Sequence, residues 1–359
     1  MGERIQGKLI FWIPSALLLI CLIIGGWFWR YAVTPGQGEG EVVVHIPRGA
    51  GVREIATLLE GQGLVAGDVR FLLLSRLTGS SGKLQAGEFR IPYGLTPLEL
   101  LQLLEKGAQV MHRITIPEGK TVRQVADILA ARDWVERERF LALSRDRAFI
   151  ASLGLQAASL EGYLFPDTYT LVRGIDDAPT ILRRMVARFQ EVWQEILASP
   201  LPVDPQSRTL SRHEVVTLAS IVEKETAEPT ERPLIARVFL NRLQRNMRLQ
   251  ADPTVIYGLD NVRGPITRAD LRRKTPYNTY VIHGLPPGPI CNPGQASLEA
   301  VLHPADGDVL YFVSRNDGTH QFSKTLKEHN RAVRAYRKAK KRGTGTRQTG
   351  QLQDKKKSG

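Results

Sequence analysis

Cysteine is scarce in this sequence, with two residues among 359, Cys21 and Cys291. Cys21 falls within a long apolar run near the N-terminus, so no second cysteine outside that run is available to pair with Cys291. The sequence therefore excludes a fold held together by disulfides. A nucleophilic thiol at Cys291 would need a partner base, which the sequence does not identify, so cysteine chemistry gives no basis for a function.

Motifs for metals and nucleotides are also missing. The histidines of the second half lack a metal-binding spacing such as His-Glu-x-x-His; they are His213, His283, His303, His320 and His329. Neither a P-loop nor a dinucleotide fingerprint is present. We therefore predict no metal site and no cofactor.

The positive charge of the chain is concentrated at one end. The formal net charge is +13, but residues 331–359 hold eleven Lys and Arg against Asp354 alone. The body of the chain is therefore close to neutral, and its overall charge gives no reason to expect nucleic acid as a partner. We predict that 331–359 is a basic, solvated and disordered tail without a catalytic role.

An uncharged run of 21 residues, Leu9–Trp29, lies between Lys8 and Arg30. This length can cross a bilayer, and the aromatic residues at its end suit the membrane interface. A cleaved signal peptide is the competing interpretation, but no small-residue cleavage site follows, so a retained anchor is favoured. We predict a cytoplasmic segment at 1–8, a transmembrane helix at 9–29 and a linker at 30–40. Basic residues before the run place the rest of the chain across the membrane.

The segment after the linker contains an internal repeat. Ile46–Val65 matches Ile116–Val135 at an offset of 70 residues, and Ile91–Gly107 is a weaker third copy. Each copy has a short β-type run, a Pro-x-Gly turn and a helix with apolar residues at helical spacing. We predict a module of strand-turn-helix units at 41–135. Its residues leave a binding module and a plain scaffold equally open.

The remainder is mainly helical up to Gln250 and rich in turns after it. Apolar spacing predicts helices at 136–145, 177–197, 211–227 and 231–247. Later prolines mark loops around a few short strands, among them Val309–Ser314, and a last helix begins near Lys324. These elements predict an α+β class, with one transmembrane helix, the repeated module, and a mixed helical domain with short strands.

The helix predicted at 211–227 carries two candidate acids, Glu223 and Glu225. Two residues apart on a helix, their side chains point roughly 200° from each other, so both cannot enter one cleft. Each flanks the apolar arc, where lost hydration raises the pKa of a carboxyl towards that of a general acid. Both glutamates could equally be helix-end residues paired with Lys224 or Arg232. Periodicity does not choose between them.

An ordered series of short motifs surrounds these glutamates. It comprises Glu161–Thr168 (EGYLFPDT), Ala219–Thr226 (ASIVEKET), Val238–Leu243 (VFLNRL), Met247–Gln250 (MRLQ), Asp252–Gly258 (DPTVIYG), Tyr277–Tyr280 (YNTY), Gly284–Gly288 (GLPPG), Tyr311–Val313 (YFV), His320–Phe322 (HQF) and His329-Asn330. In this order the motifs resemble those of the endolytic murein transglycosylases, the MltG or YceG-like family. The resemblance covers nearly all of residues 41–330.

The resemblance implies a single-pass protein of the bacterial inner membrane with its catalytic domain on the periplasmic side. It implies a LysM-like module at 41–135 and a catalytic transglycosylase domain at 136–330, which cleaves nascent peptidoglycan strands and ends their elongation. The catalytic glutamate of the family is the second one of Glu-Lys-Glu-Thr, which corresponds to Glu225. Partnership with penicillin-binding proteins of the elongation machinery is a further implication.

The expected reaction uses one carboxyl twice. Protonated Glu225 donates to the oxygen between N-acetylmuramic acid (MurNAc) and N-acetylglucosamine (GlcNAc), then accepts the proton of the muramic C6 hydroxyl, which closes a 1,6-anhydro ring. A hydrolase usually needs a second carboxylate, whereas an intramolecular hydroxyl acts at high effective concentration. A muramidase-type hydrolase and a noncatalytic peptidoglycan-binding protein are the alternatives.

Further side chains have the hydrogen-bonding and stacking groups that a glycan cleft needs. We predict substrate-binding roles for Asn241, Gln250, Asp252, Tyr257, Asn278 and Tyr280, although Asn and Tyr in such segments also serve as turn formers and core residues. Asp252 is the second carboxylate that a hydrolase would require.

Overall fold

The computed structural model describes residues 3–107, 109–226, 228–259, 264–315 and 317–338, with side chains from Pro14 onward. The chain divides into two compact units. Unit 1 comprises Met1–Ile114 and Tyr169–Asp177, and unit 2 comprises Thr115–Thr168 and Ala178–Gly359. Most of the predicted basic tail, from 339 onward, lies outside the described residues.

Unit 1 begins with one long helix, α1 (Glu3–Val33). Its part from Pro14 to Val33 is long and apolar enough to cross a membrane, and most of that part is exposed. The helix continues four residues into the predicted linker, where Tyr31 and Ala32 are buried in the core of unit 1. The Tyr31 hydroxyl donates to the carbonyl of Ala66 at 2.9 Å, so the end of α1 is fixed to this unit.

The rest of unit 1 is built from short helices against small sheets. Strands β1 and β2 pair antiparallel, with Glu41 opposite Pro92 and Ile46 opposite Gly87. The elements are β1 (Glu41–Ile46), α2 (Val52–Gly61), α3 (Val69–Leu77), β2 (Gly87–Pro92), α4 (Pro97–Lys106), β3 (His112–Thr115) and β4 (Thr168–Leu171). Strand β3 pairs with β4, and the chain crosses between the units within both strands.

The predicted strand-turn-helix order is confirmed in all three copies, as β1 with α2, β2 with α4, and β3 with the next helix, α5 (Val122–Ala130). Threonine caps start two of these helices, because Thr96 and Thr121 each form a capping box with the residue three positions later. Helix α5 belongs to unit 2, although the predicted module includes it. The module boundary at 135 stays a prediction.

Unit 2 holds most of the helices. Besides α5 they are α6 (Arg137–Leu143), α7 (Arg147–Ser152), α8 (Ala178–Leu197), α9 (Arg212–Glu225), α10 (Arg232–Gln244), α11 (Asp252–Gly258), α12 (Gln295–Leu302) and a last helix, α13, over 326–338. Strands β5 (Tyr311–Ser314) and β6 (His320–Ser323) pair antiparallel. Short 3-10 turns lie at Ser207–Thr209, Pro229–Glu231 and Asp270–Arg272. This mixture of helices and small sheets confirms the α+β class.

The observed helix ends have local causes. Ser211 caps α9, accepting the backbone N–H of Glu214 at 3.3 Å while the Glu214 carboxylate accepts the N–H of Ser211 at 2.8 Å. Helix α10 ends earlier than predicted, because Asn246 takes a left-handed conformation with φ of 51°. Within α9 every residue from Val215 to Val222 is buried, so this helix forms the centre of unit 2.

Asn292 ties three segments of unit 2 together. Its side-chain oxygen accepts the N–H groups of Gly162 and Leu164, each at 2.9 Å, and its amide nitrogen donates to the carbonyl of Lys120 at 2.8 Å. The residue is 1% exposed, so water cannot replace these bonds.

We expect Asn292→Ala to lower the free energy of unfolding by about 3 kcal/mol, since two buried N–H groups lose their acceptor. Chemical denaturation monitored by circular dichroism measures the change. Gln295→Ala, at an exposed position on the first turn of α12, is the control and should change stability by less than about 0.5 kcal/mol. A similar small loss for Asn292→Ala would contradict the assigned role.

Candidate active site

Glu225 is the last residue of α9 and lines a cavity of about 350 Å³. The wall is completed by side chains from several later elements of unit 2, namely Arg242, Gln250, Asp252, Tyr280, Phe312, Val313, Ser314, His320 and His329. The carboxyl group of Glu225, at the end of a buried helix, therefore lines a cavity whose other walls belong to separate segments of the chain. Such a cavity, with a few converging polar groups, is the usual form of a ligand site.

The environment of Glu225 favours its protonated form. Burial raises its pKa to about 8, with a further increase from the negative charge of Asp252 and an opposing decrease from Arg242. Its position at the C-terminal end of a helix acts in the same direction as burial. No hydrogen bond is among the causes of this shift in the pKa of Glu225. Near neutral pH this group can donate a proton to a ligand.

Glu223 has a different position and different partners. Its carboxylate accepts the hydroxyl of Ser297 at 2.7 Å and the N–H of Gly294 at 3.1 Å, at the start of α12. Arg232 lies 3.6 Å from its other oxygen, and the side chain is 6% exposed. Glu223 thus connects α9 to α12 and does not line the cavity, so the structure separates two glutamates that helical periodicity leaves equivalent.

Three more of the predicted residues share the cavity with Glu225. The hydroxyl of Tyr280 donates to Oδ1 of Asp252 at 2.6 Å. Gln250 adopts a left-handed conformation with φ of 52°, and its N–H donates to the carbonyl of Thr279 at 3.1 Å. This backbone bond holds the segment before α11 against the segment that carries Tyr280. Carboxylate, phenol and amide groups are thereby placed around one space.

The remaining predicted residues lie elsewhere. The amide of Asn241 donates to the carbonyls of Gly307 and Val309 at 3.1 and 3.0 Å, and it supports the chain that leads into β5. Asn278 is fully buried, and its amide lies within 3.2 Å of three backbone carbonyls, those of Asp270, Leu271 and Arg273. Both amides bind backbone, and neither lines the cavity of Glu225.

Tyr257 lines a second cavity of about 510 Å³ instead. Its hydroxyl donates to Glu161 at 3.1 Å.

Several cavity residues are absent from the predicted set. Arg242 is buried, donating from Nε to the carbonyl of Leu310 at 2.7 Å and from Nη1 to that of Leu249 at 2.6 Å. His329 stacks on Tyr311 with ring centroids 5.2 Å apart, and burial together with the charge of Arg242 lowers its pKa. The sequence could have indicated Arg242 and His329 as site residues, because both belong to the motif series that carries the resemblance.

His320 is also absent from the predicted set, and Glu231 fixes its position. Its Nδ1 lies 2.6 Å from Glu231 Oε2, and its backbone N–H donates to the other oxygen of the same carboxylate at 2.7 Å. A carboxylate on Nδ1 fixes the imidazole tautomer and leaves Nε2 for other partners. The ring also packs edge-on against Phe312, with centroids 5.5 Å apart. The pairing of His320 with Glu231 cannot be recognised from the sequence, because 89 positions separate the two residues.

The site offers acid-base chemistry at Glu225. Within the described ranges no group of three or more His, Cys, Asp or Glu side chains is placed to hold a metal ion. One protonated carboxyl, a second carboxylate hydrogen-bonded to a phenol, a buried guanidinium, a phenyl ring and two imidazole rings suit a polar ring-shaped ligand such as a sugar.

The raised pKa of Glu225 makes the stability of the fold depend on pH. Because the folded state holds the proton more tightly than the unfolded state, the free energy of unfolding falls as pH rises from about 4.5, the pKa of Glu225 in the unfolded chain, to about 8, its pKa in the folded protein. We expect Glu225→Gln to have a higher melting temperature than the original protein at pH 8.5 and a similar one at pH 4.5. Differential scanning fluorimetry at both values measures this.

Glu195→Gln is the matched control for this comparison, since Glu195 is exposed on α8. Its melting temperature should stay close to that of the original protein at both pH values. Equal shifts for the two variants would show that Glu225 does not strain the fold when it ionises.

Comparisons with known proteins agree on one family. The sequence profile of the YceG-like family matches residues 44–335. A Bacillus subtilis protein named endolytic murein transglycosylase is 34% identical over 88% of this chain and 91% of the relative. A Streptococcus pneumoniae protein of the same name is 30% identical over 90% of this chain, which spans 64% of that longer relative.

A solved structure is similar as well. The crystal structure of a YceG-like protein from Listeria monocytogenes matches 82% of this chain and all of that one, with a TM-score of 0.54 and 34% identity. A profile match over most of the chain, together with relatives of this identity and coverage, establishes the family. The chain belongs to the YceG-like family.

Proposed function

We propose that this chain is an endolytic peptidoglycan lytic transglycosylase, a lyase that cleaves the MurNAc-GlcNAc bond and leaves 1,6-anhydroMurNAc ends. The names of its relatives support the reaction. The assignment of the catalytic residue rests on one observation: the carboxyl of Glu225 has a pKa of about 8 and lines a cavity of about 350 Å³. Glu225 is the proposed catalytic acid and base.

The first step transfers the proton of Glu225 to the glycosidic oxygen. The bond between this oxygen and the muramic C1 breaks, GlcNAc leaves with a hydroxyl group, and positive charge develops at C1. Glu225 is now a carboxylate, which can stabilise this charge. A raised pKa matters here because a protonated carboxyl is available near neutral pH and is a stronger hydrogen-bond donor than water.

The second step returns the proton to Glu225. The C6 hydroxyl of the same muramic ring attacks C1, its proton passes to Glu225, and the new C6–O–C1 bond closes the 1,6-anhydro ring. No water is consumed, and the enzyme returns to its starting state. One carboxyl is sufficient because the attacking hydroxyl belongs to the substrate and is already near C1.

The other cavity groups fit substrate binding in this scheme. Tyr280 and Phe312 offer apolar ring faces for sugar rings, while Gln250 and His320 offer hydrogen-bonding groups for hydroxyl and acetamido substituents. Asp252 is held by Tyr280 and contributes its charge to the high pKa of Glu225. Asn241, Tyr257 and Asn278 fit a supporting role, because their side chains contact other protein groups.

Location and partners form part of the same proposal. Helix α1 serves as a single-pass anchor in the cytoplasmic membrane, with 1–8 inside and the folded units on the periplasmic side, supported by its apolar part and the basic residues before it. The repeated strand-turn-helix segment at 41–135 is a LysM-like binding module, and 136–330 is the catalytic domain. Nascent glycan strands are the substrate, and penicillin-binding proteins of the elongation machinery are the proposed partners.

We expect Glu225→Gln to lower the rate of glycan cleavage about a thousandfold or more, since one group supplies both proton transfers. Mass spectrometry of digested strands detects the products, and anhydro-muramic ends identify the transglycosylase reaction. Glu195→Gln should retain the original rate. Reducing muramic ends would instead indicate a hydrolase, and full activity in Glu225→Gln would refute the role of this residue.

The pH dependence tests the contribution of Asp252. Cleavage requires protonated Glu225, so the rate should fall as pH rises through about 8. Asp252→Asn removes a negative charge that raises the pKa of Glu225, so the falling limb should move to lower pH. Rates measured from pH 5 to 10 reveal the shift. Asp127→Asn, at a position on α5 outside the cavity, should leave the limb in place.

A further inference from the structure

The cavity of about 510 Å³ in unit 2 is not used by the proposed reaction. It is lined by the first turn of α5, by α6, by α11 and by the end of α9. Three cationic side chains, Arg123, Arg145 and Lys224, stand at its wall together with the single carboxyl of Glu161. A partly open cavity of this size with three exposed cationic side chains at its wall is suited to an anionic ligand.

Glu161 does not cancel this positive charge. The residue is 6% exposed, and its carboxyl accepts the N–H of Val122 at 3.0 Å and the hydroxyl of Tyr257 at 3.1 Å. Burial raises its pKa to about 7, opposed by these hydrogen bonds and by the charges of Arg123 and Arg145. Near neutral pH the wall therefore keeps an excess of at least two positive charges.

This second cavity adjoins the one at Glu225 through two pairs of consecutive residues. At the end of α9, Lys224 lines the second cavity and Glu225 lines the catalytic one. At the start of α11, Asp252 lines the catalytic cavity and Pro253 lines the second one. The two spaces therefore lie on either side of the same two helix ends.

The chemistry of peptidoglycan indicates which anionic group lies close to the second cavity. A muramic residue carries its peptide on the lactyl ether at C3, which is two ring carbons from C1, where the glycosidic bond breaks. The peptide must therefore leave the catalytic cavity close to Glu225. Its free carboxylates are the kind of group that Arg and Lys bind with charge-assisted hydrogen bonds.

We propose that the second cavity binds the carboxylate-bearing stem peptide of the muramic residue whose glycosidic bond lies at Glu225. This proposal rests on the proposed function and adds a preference to it, since the enzyme should cleave peptide-bearing strands better than strands without peptides. The apolar lining, which includes Leu141, Ile256 and Ile290, would contact the alanine methyl groups of the peptide.

Two substrates and one double variant test this subsite. Uncross-linked glycan strands are prepared with their peptides, and a portion is stripped of peptides with an amidase. The full-length chain in detergent is compared with Arg145→Gln/Lys224→Gln. We expect the KM for peptide-bearing strands to rise roughly tenfold in the double variant, because charge-assisted hydrogen bonds are lost. The kcat/KM for stripped strands should stay within about twofold, which also shows that the variant is folded.

The matched control is Arg139→Gln/Arg208→Gln, which removes the same net charge at exposed positions outside the cavity. It should behave like the original protein on both substrates. Equal losses on the two substrates, or no loss on either, would overturn the peptide subsite. Absence of anhydro-muramic ends from both substrates with the original protein would overturn the proposed function itself, so the two failures are distinguishable.

Discussion

The loss of hydration at the end of a buried helix is the constraint on which the site depends. Helix α9 is buried from Val215 to Val222, and its final residue lies where the protein interior meets the cavity. A glutamate at such a point keeps its proton to higher pH than a glutamate in water. The same burial that stabilises unit 2 through Val215–Val222 therefore prepares the acid.

Neighbouring groups hold the polar side chains of this cavity in place. Arg242 is occupied by the carbonyls of Leu249 and Leu310, so its charge is present without forming a direct ion pair with Glu225. Glu231 holds His320 by both oxygens, and Asp252 is held by Tyr280. Arg242, Asp252 and His320 in the wall thus each have a partner that positions them. Such positioning reduces the reorganisation that a reaction requires.

Much of the fold could be predicted from local patterns. Apolar spacing located α8, α9 and α10 to within a few residues, and the repeat located the strand-turn-helix units. The early end of α10 was missed because the left-handed conformation of Asn246 has only a weak sequence signal. The division of the chain after Ile114 depends on which core the helix α5 joins, which local patterns do not show.

The site was predictable only in part, for physical reasons. Spacing could show that Glu223 and Glu225 point apart, but the partner of Glu223 on α12 is 74 positions away and invisible in one sequence. Asn241 and Asn278 have the right groups for a sugar, yet in the folded chain those groups bind backbone carbonyls. Composition cannot distinguish these uses, because both satisfy the same hydrogen-bonding capacity.

The continuity of α1 has a mechanical consequence. Because Tyr31 and Ala32 at its end are part of the core of unit 1, no flexible hinge lies between the helix and the rest of this unit. If α1 crosses a bilayer, a change in its tilt turns unit 1 by the same angle. Bilayer thickness and the neighbours of the helix would then set the orientation of unit 1 relative to the membrane.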